Sequence, residues 1–133
     1  MRVLLAFVLL FLPSLSFAET RLTAGEFEAL TTGRTLFFNQ NGTAYGAEQY
    51  RKDRSVIWSF LDGQCQRGAW VPGADDTICF TYDSQEGPPI CWAFFRDAGR
   101  IRARVVGDDP ANDLTVAGSG MKPLICKGPD VGA

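Results

Sequence analysis

The 133-residue chain contains no histidine. Histidine is the most frequent general base and a common zinc ligand, so its absence argues against imidazole-based catalysis and against mixed Cys/His metal sites. C-x-x-C spacing is missing too, since the gaps between the four cysteines, Cys65, Cys79, Cys91 and Cys126, hold 13, 11 and 34 residues. A zinc site or a thioredoxin-type redox pair is therefore not expected. We assign no metal, no cofactor and no catalytic residue, and we expect a protein that is not an enzyme.

Long apolar runs are scarce, and the most prominent one covers only residues 3–12. A membrane span needs roughly 20 apolar residues, so this run predicts no span. It follows Arg2 and precedes the small-x-small sequence Ser16-Phe17-Ala18, an order typical of a cleavable signal peptide. Residues 1–18 are interpreted as that signal peptide, and the absence of a cysteine after it argues against a lipid anchor. The predicted location is the periplasm or the outside of the cell.

Strong charge of either sign is also lacking. The formal net charge is −2, and loss of Arg2 with the signal peptide leaves 12 basic against 15 acidic residues, or about −3. This weak acidity argues against nucleic acid as a partner. The remaining residues, 19–133, are enough for a single domain with its own core. We expect a monomer whose C-terminal tail, over 127–133, frays.

The four cysteines form an even set, which predicts two disulfides in an exported chain and allows three connectivities. One pairing is favoured by the sequence over residues 78–95, where two alternating runs flank the turn-forming segment DSQEGPP. If a hairpin places Cys79 opposite Cys91, then Ile78 faces Trp92 and both strands put their large apolar residues on one face. The other two cysteines would then tie the C-terminal tail to the middle of the chain.

The segment LTAGEFEALTTG predicts one short helix, with Thr23 as N-cap, Glu26 completing a capping box and Gly33 as the stop. Beyond it, short alternating runs are separated by turn residues, which is typical of antiparallel sheet. Strands are predicted at 35–38, 43–50, 54–60, 67–71, 77–82, 90–96, 100–106 and, more weakly, 114–117. A two-residue loop at Ala98-Gly99 would place Phe94 opposite Ala103.

These elements predict an all-β domain over 19–133. The expected fold is an antiparallel meander of about eight strands that closes into a small barrel or a compact sandwich, with one N-terminal helix and two disulfides. The barrel is preferred because sequence neighbours look like hairpin neighbours and closure leaves no exposed edge strand.

The chain resembles a group of small exported proteins, mostly alphaproteobacterial and of unknown function. The resemblance rests on GRTLFF, EQYRKDRSVIWSF, DGQCQRGAW, ICFTY and CWAFF, and covers roughly residues 22–102. It implies export and disulfides but no substrate. Gly68-x-Trp70 is more loosely similar to a motif of lipocalin-type barrels, and avidin-type barrels are a further analogy. That motif belongs on the first strand and here falls mid-chain, which argues against transferring a small-molecule carrier role.

Aromatic residues are the most promising candidates for binding. Core packing is the simpler role for them, because strand aromatics at period two fill small barrels. The alternative is a mouth or groove in which some rings stay exposed to hold a ligand or a partner. The candidates are Trp58, Trp70, Trp92 and Tyr50.

A second candidate is the sequence RIRARVV, in which Arg100, Arg102 and Arg104 alternate with apolar residues. A strand here places three guanidinium groups on one face, either solvated and neutralised by nearby acids or presented as a ladder to an anionic partner.

Acidic residues suggest two further hypotheses. Most of them lie in predicted turns, where they are usually solvated, so a catalytic carboxylate pair is a secondary hypothesis. The loop GDDPAND offers calcium ligands but lacks EF-hand spacing. The segment EQYRKDR, 48–54, is interpreted as a solvated strand end and turn.

The function favoured by these observations is an exported, non-enzymatic binding or interaction module acting on an unknown protein or envelope component. The alternatives are a carboxylate-dependent hydrolase of envelope glycans and a structural factor of the cell envelope.

Overall fold

The computed structural model describes residues 19–127. The predicted signal peptide at 1–18 and most of the predicted frayed tail lie outside these residues. Within them, one α-helix precedes eight strands and a short 3-10 helix at Pro110–Asn112. Helix α1 covers Ala24–Thr31. The strands are β1 (Thr35–Gln40), β2 (Thr43–Tyr50), β3 (Ser55–Ser59), β4 (Gln66–Pro72), β5 (Thr77–Tyr82), β6 (Ile90–Asp97), β7 (Arg100–Val105) and β8 (Leu114–Gly120).

The strands form a closed antiparallel barrel in which each strand pairs with its sequence neighbours and β8 returns to β1. The predicted barrel is confirmed, and the sandwich alternative is not adopted. Closure satisfies the backbone groups that an open sheet would leave at its two edges. Side chains alternate between the interior and the outer surface, so one face of every strand contributes to the interior.

Helix α1 begins as the sequence predicts. The Thr23 hydroxyl accepts a hydrogen bond from the backbone N–H of Glu26, and the Glu26 carboxylate accepts one from the N–H of Thr23. This capping box satisfies two N–H groups that a helix start leaves unpaired. The chain leaves the helix through Gly33, whose φ of 77° suits glycine better than other residues.

Both predicted disulfides are present. Cys79 and Cys91 are directly opposite in the β5–β6 ladder, with Ile78 opposite Trp92 as the hairpin argument requires. The second bond joins Cys65, in the connection after β3, to Cys126 near the end of the described chain. The β6–β7 register also matches, with Phe94 opposite Ala103.

The two ends of the barrel differ in what they carry. At one end lie α1 and the tight turns after β2, β4 and β6, while the longer connections after β3, β5 and β7 lie at the other end. We call the second end the mouth. No helix within residues 19–127 has both the length and the apolar character needed to span a bilayer.

Candidate functional site

The barrel interior contains a cavity of about 390 Å³ that extends towards the mouth. Its wall is mainly aromatic because inward-facing positions of β1, β2, β3, β5 and β6 carry large rings. The rings that define its shape belong to Tyr45, Trp58, Phe80, Tyr82, Trp92 and Phe94. Cavities of this size and lining are typical of small-ligand sites.

The end opposite the mouth is sealed by Phe27 of α1, which is 1% exposed. Its ring meets Tyr50 and Trp70 edge-on, with centroid distances of 5.5 and 5.1 Å, and it lies 4.6 Å from the ring of Phe94. Edge-to-face contacts at these distances are favourable. Tyr50 and Phe94 line the cavity, so the helix closes the end of the barrel behind them.

An ion pair holds α1 to the barrel wall. Arg54, in the turn after β2, donates from Nε and Nη2 to the two carboxylate oxygens of Glu28, at 2.9 and 3.1 Å. The same guanidinium lies 4.7 Å from the centre of the Trp70 ring. A planar guanidinium suits both contacts, which orient the helix over the barrel end.

Large apolar side chains remain exposed around the mouth. Phe60, directly after β3, is 51% exposed, and Ile90, at the start of β6, is 42% exposed. Both line the cavity, together with Ser84 and Gln85 from the loop after β5. An apolar rim of this kind fits a ligand whose body is itself apolar.

Three aromatic rings, those of Tyr45, Trp58 and Phe60, pack together on one side of the mouth. The position of Tyr45 among them depends on an irregularity in β2. The pairing of β1 with β2 shifts between Phe38 and Asn39, so Tyr45 has no partner there and the strand bulges. The ring of Tyr45 lies 6.0 Å from that of Trp58 and 5.8 Å from that of Phe60. The bulge thus adds an aromatic ring to the cavity wall.

Glu48 is the most unusual residue of the cavity, since its carboxyl group is buried in an aromatic wall and only 4% of the residue is exposed. Its Oε1 accepts a hydrogen bond from the Tyr82 hydroxyl at 2.7 Å, and its Oε2 accepts one from the Tyr50 hydroxyl at 3.1 Å. Among the described residues, Glu48 has no ion-pair partner, and no lysine or arginine lines the cavity.

Burial raises the pKa of Glu48 to about 7, because the ionised carboxylate loses its hydration. The hydrogen bonds from Tyr82 and Tyr50 favour the ionised form and act in the opposite direction. The group is therefore poised to change its charge near neutral pH, in a site where the other lining residues of the described chain are uncharged.

Gly68 allows Tyr82 to reach Glu48. A Cβ at Gly68 would lie 2.5 Å from the carbonyl oxygen of Thr81 and 2.7 Å from Cδ1 of Tyr82, closer than real side chains approach. The tyrosine ring thus occupies the space above the glycine. The Gly68-x-Trp70 sequence has a local explanation here, since its tryptophan packs on Phe27 while its glycine makes room for a cavity ring.

The structure places the aromatic candidates in two locations. Trp58, Trp92 and Tyr50 line the cavity, whereas Trp70 lies beyond it at the closed end and is 2% exposed. The glutamate was missed by the sequence analysis, and the interpretation of 48–54 as solvated is wrong for Glu48 and Tyr50. The spacing of Glu48 and Tyr50 could have indicated that Glu48 is buried. Residues two apart in a strand share a face, and Tyr50 carries a large ring suited to the interior.

The arginine candidates lie on the outer surface of β7, away from the cavity. Asp113 accepts hydrogen bonds from Arg104 at 2.6 and 2.8 Å and also binds Arg102, which pairs with Glu19 as well. Both guanidinium groups cover the ring of Phe95, at 4.9 and 5.4 Å from its centre. Their charges are thus largely compensated within the chain. Arg100 is exposed and has no ion pair within residues 19–127.

The acidic loop at 107–113 is organised by its own hydrogen bonds. Asp109 caps the 3-10 helix through the N–H of Ala111, Asp108 accepts from Asn112, and Asp113 is turned to the arginines. Against the opposing effect of burial, the hydrogen bonds from Arg104 and Arg102 lower the pKa of Asp113. In the described part of the chain, no three Cys, Asp or Glu side chains are grouped in a way that would hold a metal ion.

Comparisons of the chain with protein-family models, with curated proteins and with solved structures each returned no match.

Proposed function

We propose that this protein is an exported, non-enzymatic binding module that holds a small ligand with a largely apolar body inside its barrel. The observation that carries the proposal is the aromatic cavity of about 390 Å³, which lies in a barrel closed by α1 at one end and is rimmed by exposed apolar residues at the other.

The chemistry of the wall supports binding over hydrolysis. A glycosidase needs two carboxyl groups roughly 5 to 10 Å apart. Among the residues described, Glu48 is the one acid that lines the cavity. A lone carboxyl surrounded by rings is suited to orienting a ligand, since a few polar groups in an apolar pocket provide specificity.

The two disulfides support an oxidising location. They also join segments that border the mouth. Cys79 and Cys91 staple the hairpin whose loop carries Ser84 and Gln85, and Cys65 lies in the connection that follows Phe60. Covalent restraint of both segments preserves the shape of an open site, which reduces the entropy lost on binding.

The proposal is tested with the neutral fluorescent dye N-phenyl-1-naphthylamine. We expect the dye to bind the folded protein with increased emission. The variant Ala103→Leu adds bulk at an inward, 1% exposed position of the cavity wall and should weaken binding at least about tenfold.

The matched control is Ala69→Leu, the same change at an exposed position of β4. It should leave dye affinity unchanged. Absence of dye binding, or equal affinities for the two leucine variants when both are folded, would contradict the proposal.

A further inference from the structure

We propose that the cavity selects an organic cation with an apolar body, such as an alkylated or aromatic ammonium compound, and that Glu48 is the residue that selects it. This inference rests on the proposed function, because it names the chemical class of the ligand for the same cavity.

Formal charge in the cavity has one source among the described residues. Glu48 is the acid in the wall, and no lysine or arginine between residues 19 and 127 lines it. A buried carboxylate without a cationic partner is unfavourable, and a bound ammonium group would supply the missing charge. An anionic ligand would instead meet the carboxylate without any basic residue to compensate.

The hydrogen-bonding pattern around the carboxyl points the same way. When Glu48 is ionised, the hydroxyl hydrogens of Tyr82 and Tyr50 are both donated to its oxygens. The lone pairs left on these three groups can only accept. The polar part of the site therefore presents acceptors, which suit N–H donors or the polarised C–H groups of an alkylated ammonium.

The rings around Glu48 favour the same ligand class. Trp58, Trp92, Phe80 and Tyr82 line the cavity with it. Aromatic faces attract cations through their quadrupole, and the attraction is strongest in sites shielded from water. Aromatic rings and a carboxylate together stabilise a cation, while the rings alone would accept an uncharged ligand equally well.

The selection should depend on pH. Within residues 19–127, the other titratable groups that line the cavity with Glu48 are tyrosines, Tyr45 and Tyr50 on β2 and Tyr82 on β5. Burial raises the pKa of Tyr50 and of Tyr82, so neither ionises near neutrality. Glu48, with its pKa raised to about 7 by burial, is the group that changes charge in this range. Cation binding should favour its ionised form and release a proton.

The experiment compares two probes of nearly identical shape, benzyltrimethylammonium and its uncharged carbon analogue neopentylbenzene. Quenching of tryptophan fluorescence reports on binding, because Trp58 and Trp92 line the cavity. We expect the cation to bind at least about tenfold more tightly than the neutral probe at about pH 8. Its affinity should rise several-fold, and by no more than about 30-fold, between about pH 5.5 and pH 8.5, while that of the neutral probe stays constant.

The variant Glu48→Gln should remove the preference for the cation without weakening the neutral probe. Glu86→Gln is the matched control, since Glu86 is an exposed carboxylate in the loop beside the mouth, and it should retain the preference. A measurement on the unmodified protein complements both variants: titration with the cation near pH 6 in lightly buffered solution should release a substantial fraction of a proton per site.

Equal affinities for the two probes, a preference that survives in a folded Glu48→Gln variant, or binding without proton release would each overturn the inference. So would failure of both probes to bind a protein that still takes up the naphthylamine dye, and in that case the proposed function would stand. If the dye is also excluded, the proposed function fails and the inference fails with it.

Discussion

The Tyr82 hydroxyl donates a hydrogen bond to Oε1 of Glu48 across 2.7 Å, although the two residues are 34 positions apart. Glu48 lies on β2 and Tyr82 on β5, and β3 and β4 separate these strands in the sheet. The contact therefore crosses the barrel interior and depends on the curvature of the sheet. Removing this hydrogen bond should therefore change both the stability of the barrel and the pKa of the carboxyl group in the cavity.

Tyr82→Phe should destabilise the protein by about 1–2 kcal/mol, because it removes a buried hydrogen bond to a carboxyl group while keeping the ring. It should also raise the pKa of Glu48 further, since the lost bond favours the ionised form. Urea unfolding measures the first effect, and ¹³C NMR of the labelled glutamate carboxyl measures the second.

Tyr45→Phe is the control for this change. The Tyr45 ring also lines the cavity, but its hydroxyl makes no hydrogen bond within residues 19–127. Removing the Tyr45 hydroxyl should change neither the free energy of unfolding nor the pKa of Glu48 appreciably. Similar effects of the two substitutions would show that the Tyr82 hydroxyl does not bind Glu48 in solution.

Glu48 should also give the stability of the protein a distinctive pH dependence. Its pKa rises from 4.5 to about 7 on burial, so the folded state retains this proton after the unfolded state has lost it. The stabilisation that this protonated carboxyl gives the folded state is fully present below about pH 4.5 and is lost as the pH rises to about 7. Over this range the free energy of unfolding should fall by about 3 kcal/mol because of Glu48. Above that range the contribution of Glu48 should be constant.

Glu48→Gln isolates this contribution, because the amide does not titrate and the other carboxyl groups are unchanged. The free energy of unfolding of the natural protein minus that of the variant should fall between about pH 4.5 and pH 7. Parallel profiles for the two proteins would mean that Glu48 is hydrated in the folded state.

The local pattern of the sequence predicts most of the barrel. Strands β2 and β5 occur at the predicted residues, and the Cys79–Cys91 register follows because one shift in pairing would turn Ile78 and Trp92 away from the common apolar face. Alternation of apolar and polar residues with period two is a local property of a strand, so each hairpin can be inferred from its own residues.

The cavity is harder to predict from the sequence, because its wall combines strands that are distant along the chain. Glu48 precedes the charged run at 51–54, and its neighbours in sequence suggest a solvated segment, whereas its neighbours in space are rings from other strands. The bulge that turns Tyr45 inwards arises from the pairing of β1 with β2, which alternation alone does not indicate. The ion pairs of Asp113 likewise join separate strands and loops.

The two disulfides should differ in how much they stabilise the protein. Cys65 and Cys126 are separated by 61 positions and Cys79 and Cys91 by 12, so the first bond restricts the unfolded chain more strongly. Replacing each pair by alanine should lower the free energy of unfolding by about 4 and about 3 kcal/mol respectively. Urea unfolding measures both losses, and thiol titration of the unreduced, unfolded protein should detect no free cysteine. One or more reactive thiols, or a clearly larger loss for the 79–91 pair, would contradict this prediction.

Gly68→Ala should disturb the cavity from within the barrel wall. The added methyl group would lie 2.7 Å from Cδ1 of Tyr82 and 2.5 Å from the carbonyl oxygen of Thr81, so the ring and the adjacent strand must both move. We expect a loss of about 1–3 kcal/mol and a further rise in the pKa of Glu48, because the hydrogen bond from Tyr82 is strained.

Gly118→Ala provides the comparison, since Gly118 also lies in a strand and a Cβ there would have no neighbour within 4 Å. That variant should be neutral or slightly more stable, because alanine restricts the unfolded chain more than glycine does. Urea unfolding measures the free energy of unfolding of both variants, and ¹³C NMR of the labelled glutamate carboxyl measures the pKa of Glu48 in each. If Gly68→Ala is as stable as Gly118→Ala and leaves the pKa of Glu48 unchanged, the Tyr82 ring does not rest on Gly68, and the position of Tyr82 beside Glu48 must be fixed by other contacts.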